Sequence, residues 1–302
     1  LIPICSSYLR AFGFSKEPLY ASIIGNVINF CLNAFFLFVL HKGVAGVATA
    51  TVVSRIINLV IVVLLGAVLV KAKKHPERES NREVMGQIIR IGLPSACETA
   101  IYNVSMTLVI RFLNQMDAQG LNVTARSYTM QITNFSYCVG AALAQANAIM
   151  TGWRIGAKEY DACDRGTRKA AIIGVIVAVI LETMFALCSG WIMQLFSKDP
   201  QMVSLVGKLL AIDIVLEMGR VTNLVYGQAL KTSGDAVFPV VMGACFMILC
   251  SVGGTYLFGI RLGLLAVGAY IGMAGDECVR AIGMYLRWKS GKWKEKGLVK
   301  SR

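Results

Sequence analysis

The sequence predicts an all-α integral membrane protein, a polytopic bundle of about eight transmembrane helices, and three observations carry that expectation. Of its 302 residues, 56% are hydrophobic, and the mean hydropathy is +0.63; soluble domains are roughly 45–50% apolar. The excess is gathered into long blocks. The cations fall in alternate gaps between those blocks.

The blocks run at about 18–40, 44–70, 92–113, 121–150, 169–196, 203–227, 237–259 and 262–286. A run of about 20 apolar residues crosses the hydrocarbon layer as a helix, because a helix satisfies its own backbone hydrogen bonds. The block at 121–150 is the most polar, with Arg126, Gln131, Asn134, Gln145 and Asn147. No period-two alternation supports a β-barrel.

The net charge of +13 is distributed as a membrane protein distributes it. One set of gaps holds 21 cations, concentrated at 71–90, 154–169 and 287–302, against Lys42, Lys198 and Arg261 in the other. The positive-inside rule then places both ends of the chain in the cytoplasm of a cell whose plasma (inner) membrane it spans. The tail 288–302 is expected against anionic lipid, and no nucleic-acid partner is expected. The nine cysteines show no CxxC pairing, and most sit inside spans as small apolar residues. With two histidines, no Gly-rich phosphate loop and no GxSxG, neither a metal site nor a cofactor nor an enzyme is predicted.

The chain repeats itself. Leu9-Arg10-Ala11-Phe12-Gly13-Phe14-Ser15-Lys16-Glu17-Pro18 resembles Leu230-Lys231-Thr232-Ser233-Gly234-Asp235-Ala236-Val237-Phe238-Pro239, 221 residues on. Gly43-Val44-Ala45-Gly46 pairs with Gly263-Leu264-Leu265-Ala266 at an offset of 220. Residues 1–70 therefore read as the end of one six-helix lobe, 71–90 as a basic linker, 91–287 as a complete second lobe, and 288–302 as a tail. A full first lobe needs about 140 more residues than the chain carries before this point. The opening Leu1-Ile2-Pro3-Ile4-Cys5 reads as the end of a span, so a fragment is expected, inactive by itself. Both copies run in one membrane direction, the arrangement of a 6+6 parallel-repeat transporter. All six prolines lie at predicted span ends or in gaps, which favours rocking of two rigid bundles over local unwinding.

These loops, with Ile91-Gly92-Leu93-Pro94 and Gly43-Val44-Ala45-Gly46-Val47-Ala48, resemble the multidrug and toxic compound extrusion (MATE) transporters over essentially the whole chain, aligned with that family's fifth to twelfth helices. The resemblance implies twelve helices in two bundles around a central cavity, acting as a monomer that exports organic cations or amphipathic drugs in exchange for H⁺ or Na⁺. Two positions depart from the family pattern. Where its seventh helix carries a glutamate, this chain has Tyr102, with the acid one turn earlier at Glu98. Where its tenth helix carries an acid, this chain has Arg220, with Glu217 three residues before it.

Charges inside a span need a partner or water. Glu98, Glu182, Asp213, Glu217, Asp276 and Glu277 face Arg55, Arg220 and Arg280, an excess of acid that suits a proton or a cationic ligand. Asp213, Glu217, Arg220 and Asn223 are spaced to share one helical face, with Ile212, Val215, Leu216 and Leu224 opposite. We expect Glu98, Glu217 and Asp213 to take the coupling ion or substrate cation. Tyr102, Asn103, Arg220, Asn223 and Glu182 are expected as cavity-lining support. Each has a structural alternative: a Glu217–Arg220 pair docking helices, a Glu98 carboxylate bonded to backbone, a protonated Glu182 satisfied by a neighbouring helix, a local Asp276–Glu277–Arg280 network. Met130, Phe135 and Tyr137 offer either packing or stacking faces for a flat cation. The runner-up function is a lipid-linked oligosaccharide flippase, for which Arg55, Arg111, Arg126 and Arg220 would bind a diphosphate.

Overall fold

The computed structural model describes residues 1–70, 81–117 and 119–296. The linker stretch 71–80 and the tail beyond 296 lie outside the described residues. The chain divides into two compact units, Leu1–Arg78 and Glu79–Arg302.

The first unit holds α1 (Ile2–Ala11), α2 (Lys16–Ala34), which widens into a π turn at Phe35–Val39, and α3 (Gly43–Leu69). The second holds α4 (Asn81–Met116), α5 (Leu121–Gly156), α6 (Tyr160–Leu187), the short α7 (Ser189–Met193), α8 (Pro200–Thr232), α9 (Val237–Phe246), which continues through π turns at Met247–Val252 and Thr255–Arg261, and α10 (Leu265–Lys289). A 3₁₀ turn, Lys292–Glu295, follows. No strand occurs among the described residues, and α8 is the hub, packed on α5, α6 and α10.

Local chemistry sets the helix ends. Asp199 caps α8 by accepting from Gln201 N, with Pro200 in the first turn. Asp117 accepts from the backbone N–H groups of Leu121 and Asn122 at the start of α5. Burial would raise the Asp117 carboxyl, but those donors hold it below its ordinary value. Asn122 Oδ1 in turn accepts from Ala266 N, tying α5 to α10.

Each predicted span overlaps one long helix, with instructive shifts at the edges. The fifth span, expected at 169–196, is a helix that begins at 160 and ends at 187, so Arg165, Arg168 and Lys169 are helical. Likewise 81–90, read as linker, is the first part of α4, and Pro94 is consequently inside a helix. Hydropathy marks the membrane edge, whereas the helix continues into water because Arg and Lys are good helix formers. The prolines gave no sign of the π turns in α2 and α9. By length and hydropathy alone, four helices qualify as membrane-crossing: Lys16–Val39, Gly43–Leu69, Tyr160–Leu187 and Val237–Arg261. The other long helices, α4, α5, α8 and α10, carry the polar groups of the cavity described below.

The repeat is visible in the hydrogen bonds. Phe14 N donates to Leu9 O (3.0 Å) and Asp235 N to Leu230 O (2.9 Å), while Gly13 N and Gly234 N donate to Arg10 O and Lys231 O. Both glycines have φ near +90° (89° and 92°), the left-handed residue of a Schellman helix end. The second turn corrects the offset. Lys42 N to Phe36 O is matched by Leu264 N to Phe258 O, and Gly46 N to Lys42 O by Gly268 N to Leu264 O. The equivalence there is 222 rather than 220 residues, pairing Gly46 with Gly268 and Gly43 (φ 52°) with Leu265 (φ 52°). One residue more lies between the two turns in the second copy, which sequence matching of glycines could not register.

The tail differs from its predicted role. Trp293 is buried, stacked on Trp288 at 4.2 Å, and Lys296 reaches Asp235 at 2.7 Å. The first part of the tail therefore folds back on the bundle.

Candidate functional site

Within the second unit, α4, α5, α8, α9 and α10 surround a cavity of about 460 Å³. Helical periodicity selects its walls. From α4 come Glu98, Tyr102 and Met106, from α5 Arg126, Met130, Thr133 and Tyr137, from α8 Asp213, Arg220, Asn223 and Gly227, and from α10 Tyr270, Met273, Glu277, Arg280 and Met284. Spacings of three and four keep each set on one stripe.

Charge in the cavity is organised in two networks. Near the α8 end, Lys231 Nζ pairs with Glu98 Oε2 at 2.6 Å. Deeper, Arg220 bonds Glu217 and lies 3.6 Å from Glu277 Oε1. Arg280 bonds Asp276 Oδ1 (2.9 Å) and Glu277 Oε1 (2.9 Å). Asn223 donates to Glu277 Oε2 at 3.1 Å, and Ser251 to Asp276 Oδ2 at 2.9 Å. The Arg220 guanidinium sits 6.0 Å from the Tyr137 ring centroid, at the limit of cation–π contact. This joining of α8 to α10 depends on Gly219: a Cβ there would lie 2.8 Å from the backbone of Glu277 and Cys278.

Six carboxylates (Glu98, Glu182, Asp213, Glu217, Asp276, Glu277) thus meet four cations (Arg126, Arg220, Lys231, Arg280) in and behind this wall. Arg126 is buried, touches Met106 Sδ at 3.6 Å, and leaves its Nε unpartnered. Asp213 Oδ2, Glu217 Oε2 and both oxygens of Glu182 also lack a hydrogen-bond partner.

The structure sorts the sequence candidates. Glu98, Tyr102, Asp213, Arg220 and Asn223 line the cavity. Glu217 and Glu182 do not: both are fully buried behind it. Asn103 is off the wall, exposed, and bonded to Thr99 O, because five residues beyond Glu98 it has rotated away from the stripe of Glu98, Tyr102 and Met106. Leu216 and Leu224, assigned to the apolar face of α8, line the cavity as well, since helices enclose α8 on several sides. Met130 and Tyr137 line it, while Phe135 is 70% exposed. Arg55, counted among the bases, belongs to the first unit and makes no ion pair among the described residues. The sequence reading missed Lys231, assigned to a loop, and named Arg126 only as a polar interruption and as a diphosphate ligand of the runner-up function. The signal for Lys231 was available: Glu98 needed a cation, and Lys231 ends α8 within the repeated loop motif.

A profile of the MatE family matches residues 94–257. The chain is 33% identical over 305 residues to the uncharacterized transporter YisQ of Bacillus subtilis, covering 99% of this chain and 67% of YisQ. It is 22% identical over 309 residues to the probable multidrug resistance protein YoeA of the same organism, covering 98% and 65%. Its fold superposes on the crystal structure of the eukaryotic MATE transporter AtDTX14 with a TM-score of 0.88 at 17% identity, over 98% of this chain and 66% of that one. The chain spans about two thirds of the length of these proteins.

Proposed function

The chain belongs to the MatE family, whose members are transporters rather than enzymes, and on that premise we propose that it is part of a secondary antiporter that exports organic cations or amphipathic drugs in exchange for H⁺ or Na⁺. The observation that carries this reading is the excess of carboxylates over cations in and behind the wall of one cavity. A cation entering there meets the Glu98 carboxylate and the aromatic faces of Tyr102 and Tyr137, with the Asp213 carboxylate set in the wall beside them. Lys231 is the internal competitor for Glu98. A coupling ion that neutralises Asp213 or Glu98 and a cationic substrate would exclude one another, which is what antiport requires. Glu217 acts one step back by fixing Arg220, so that Arg220 neither neutralises Asp213 fully nor swings into the cavity.

The remaining elements of the reading follow the charge distribution: a multi-pass monomer in the plasma (inner) membrane, its basic ends cytoplasmic and the far tail against anionic lipid. The flippase alternative needs free cations for a diphosphate; Arg220, Arg280 and Lys231 are each held by carboxylates, which leaves Arg126 as the one cavity cation without an ion pair among the described residues.

The test is efflux of a fluorescent organic cation from vesicles carrying the full-length protein, under imposed pH or Na⁺ gradients. Gradient-driven efflux that fails in Asp213→Asn and in Glu98→Gln is the expected result. Efflux unchanged in both variants would sink the assignment.

A further inference from the structure

Glu182 has no place in the cavity mechanism, yet it is among the most deeply buried charged side chains in the molecule. It sits in α6 with no solvent exposure. Neither carboxyl oxygen has a donor. The groups facing it are few. From α5 comes Ser136, whose hydroxyl, 1% exposed at the residue, is itself unpartnered. From α8 come Asp213, Glu217 and, more distantly, Arg220. From α7, whose residues are Ser189-Gly190-Trp191-Ile192-Met193, comes no titratable group. Asp213 Oδ2 and Glu217 Oε2 are likewise buried without partners. No group of three or more carboxylate, His or Cys side chains among the described residues is arranged to hold a metal ion.

An ionised carboxylate in that position would be an undonated charge beside two others, the least favourable arrangement a buried acid can have. A neutral acid has the opposite preference, because its hydroxyl can donate to an oxygen that otherwise has no partner. We propose that Glu182 is a proton-storage site set behind the cavity wall, exchanging its proton with the cavity through Asp213. The step is a carboxyl-to-carboxylate transfer: the proton leaves Glu182, joins the Asp213 carboxylate, and passes from Asp213 to cavity water, leaving Glu182 anionic and one proton released. Asp213 is the one member of the trio that lines the cavity, and its charge acts on Glu182. Ser136 then supplies the hydroxyl that donates to Glu182 while it is ionised. The link to transport rests on the cation-exchange reading above; the proton occupancy of Glu182 does not.

The test uses the full-length protein in lipid nanodiscs and infrared difference spectroscopy of the protonated-carboxyl C=O stretch. Wild type should show a band that is lost in Glu182→Gln and restored, shifted, in Glu182→Asp. Adding tetraphenylphosphonium should diminish that band in wild type and leave it unchanged in Asp213→Asn. A spectrum in which Glu182→Gln removes no band, or a band indifferent to the cation in wild type, overturns the proposal. Loss of dye efflux with an intact, cation-responsive band would instead count only against the transport reading.

Discussion

In the α2–α3 pair, Asn29 donates to Ser54 at 3.1 Å; in the α9–α10 pair, 222 residues on, Ser251 donates to Asp276 at 2.9 Å. The two pairs share their turns, their π widening and their tight glycine. A Cβ on Gly46 would lie 2.9 Å from Phe36 Cβ, and one on Gly268 would lie 2.4 Å from the Phe258 carbonyl carbon. What differs is what they hold. Ser54, Arg55 and Asn58 stand where Asp276, Glu277 and Arg280 form an ion-paired cluster. The first pair closes around a small polar pocket of about 40 Å³ lined by Asn26, Asn29, Thr51 and Asn58. Backbone plan and site chemistry are therefore separable. Turns and glycines set the plan, and a few inward positions decide whether the interface is neutral or charged.

The sharpest test of that separation is to remove one arginine from each unit of the full-length protein. Arg220→Ala leaves Glu217 buried without its cation and Glu277 with Arg280 alone, and a loss of about 3–5 kcal/mol is expected. Arg55→Ala removes a cation that makes no ion pair among the described residues and should cost less, about 1 kcal/mol. Thermal unfolding in detergent reads both; equal effects would mean that the units do not differ as described.

A smaller effect should be shared. Gly46→Ala and Gly268→Ala each force a methyl group into a neighbouring helix, at about 1–3 kcal/mol apiece. Destabilisation at only one would break the structural equivalence. Gly13→Ala and Gly234→Ala impose a side chain on a left-handed residue, at about 1–2 kcal/mol each by the same measurement.

The last prediction separates the units by pH. Phe14 occupies the turn position that Asp235 occupies in the second unit. Burial would raise the Asp235 carboxyl, but Arg287 and Lys296, each at 2.7 Å, hold it below its ordinary value of 3.8. A depressed folded-state value means that the contribution is complete above that ordinary value and is lost as pH falls through the lower one. Asp235→Asn should therefore lower stability at neutral pH and flatten its decline below pH 3.8, while Phe14→Ala should leave the slope unchanged. Unfolding midpoints measured against pH would show the difference.

Much of this was legible in the chain itself. Block hydropathy located every long helix, because burying apolar side chains in lipid leaves a signal in local composition. The Gly-turn-Pro motif revealed the repeat, because only glycine accepts φ near +90° without strain. Asp213, Arg220 and Asn223 were found on one face because helical spacing is local. The misses share one cause. Lys231 pairs with Glu98 across 133 residues: the sequence shows an acid that needs a cation, but not which cation the packing brings to it. Asn103 was misplaced because a stripe fixed by two residues has an uncertain width until its neighbours are known.

The sequence by itself determined the fold class, the membrane character, the repeat and the presence of an excess of buried acid, since each is a matter of composition or short-range periodicity. Only the tertiary structure decided which acids have cations, that Glu217 and Glu182 stand behind the cavity rather than in it, and that the tail folds back onto Asp235. Those outcomes depend on which helix faces pack against α8, and that packing is set by contacts between residues far apart in the chain.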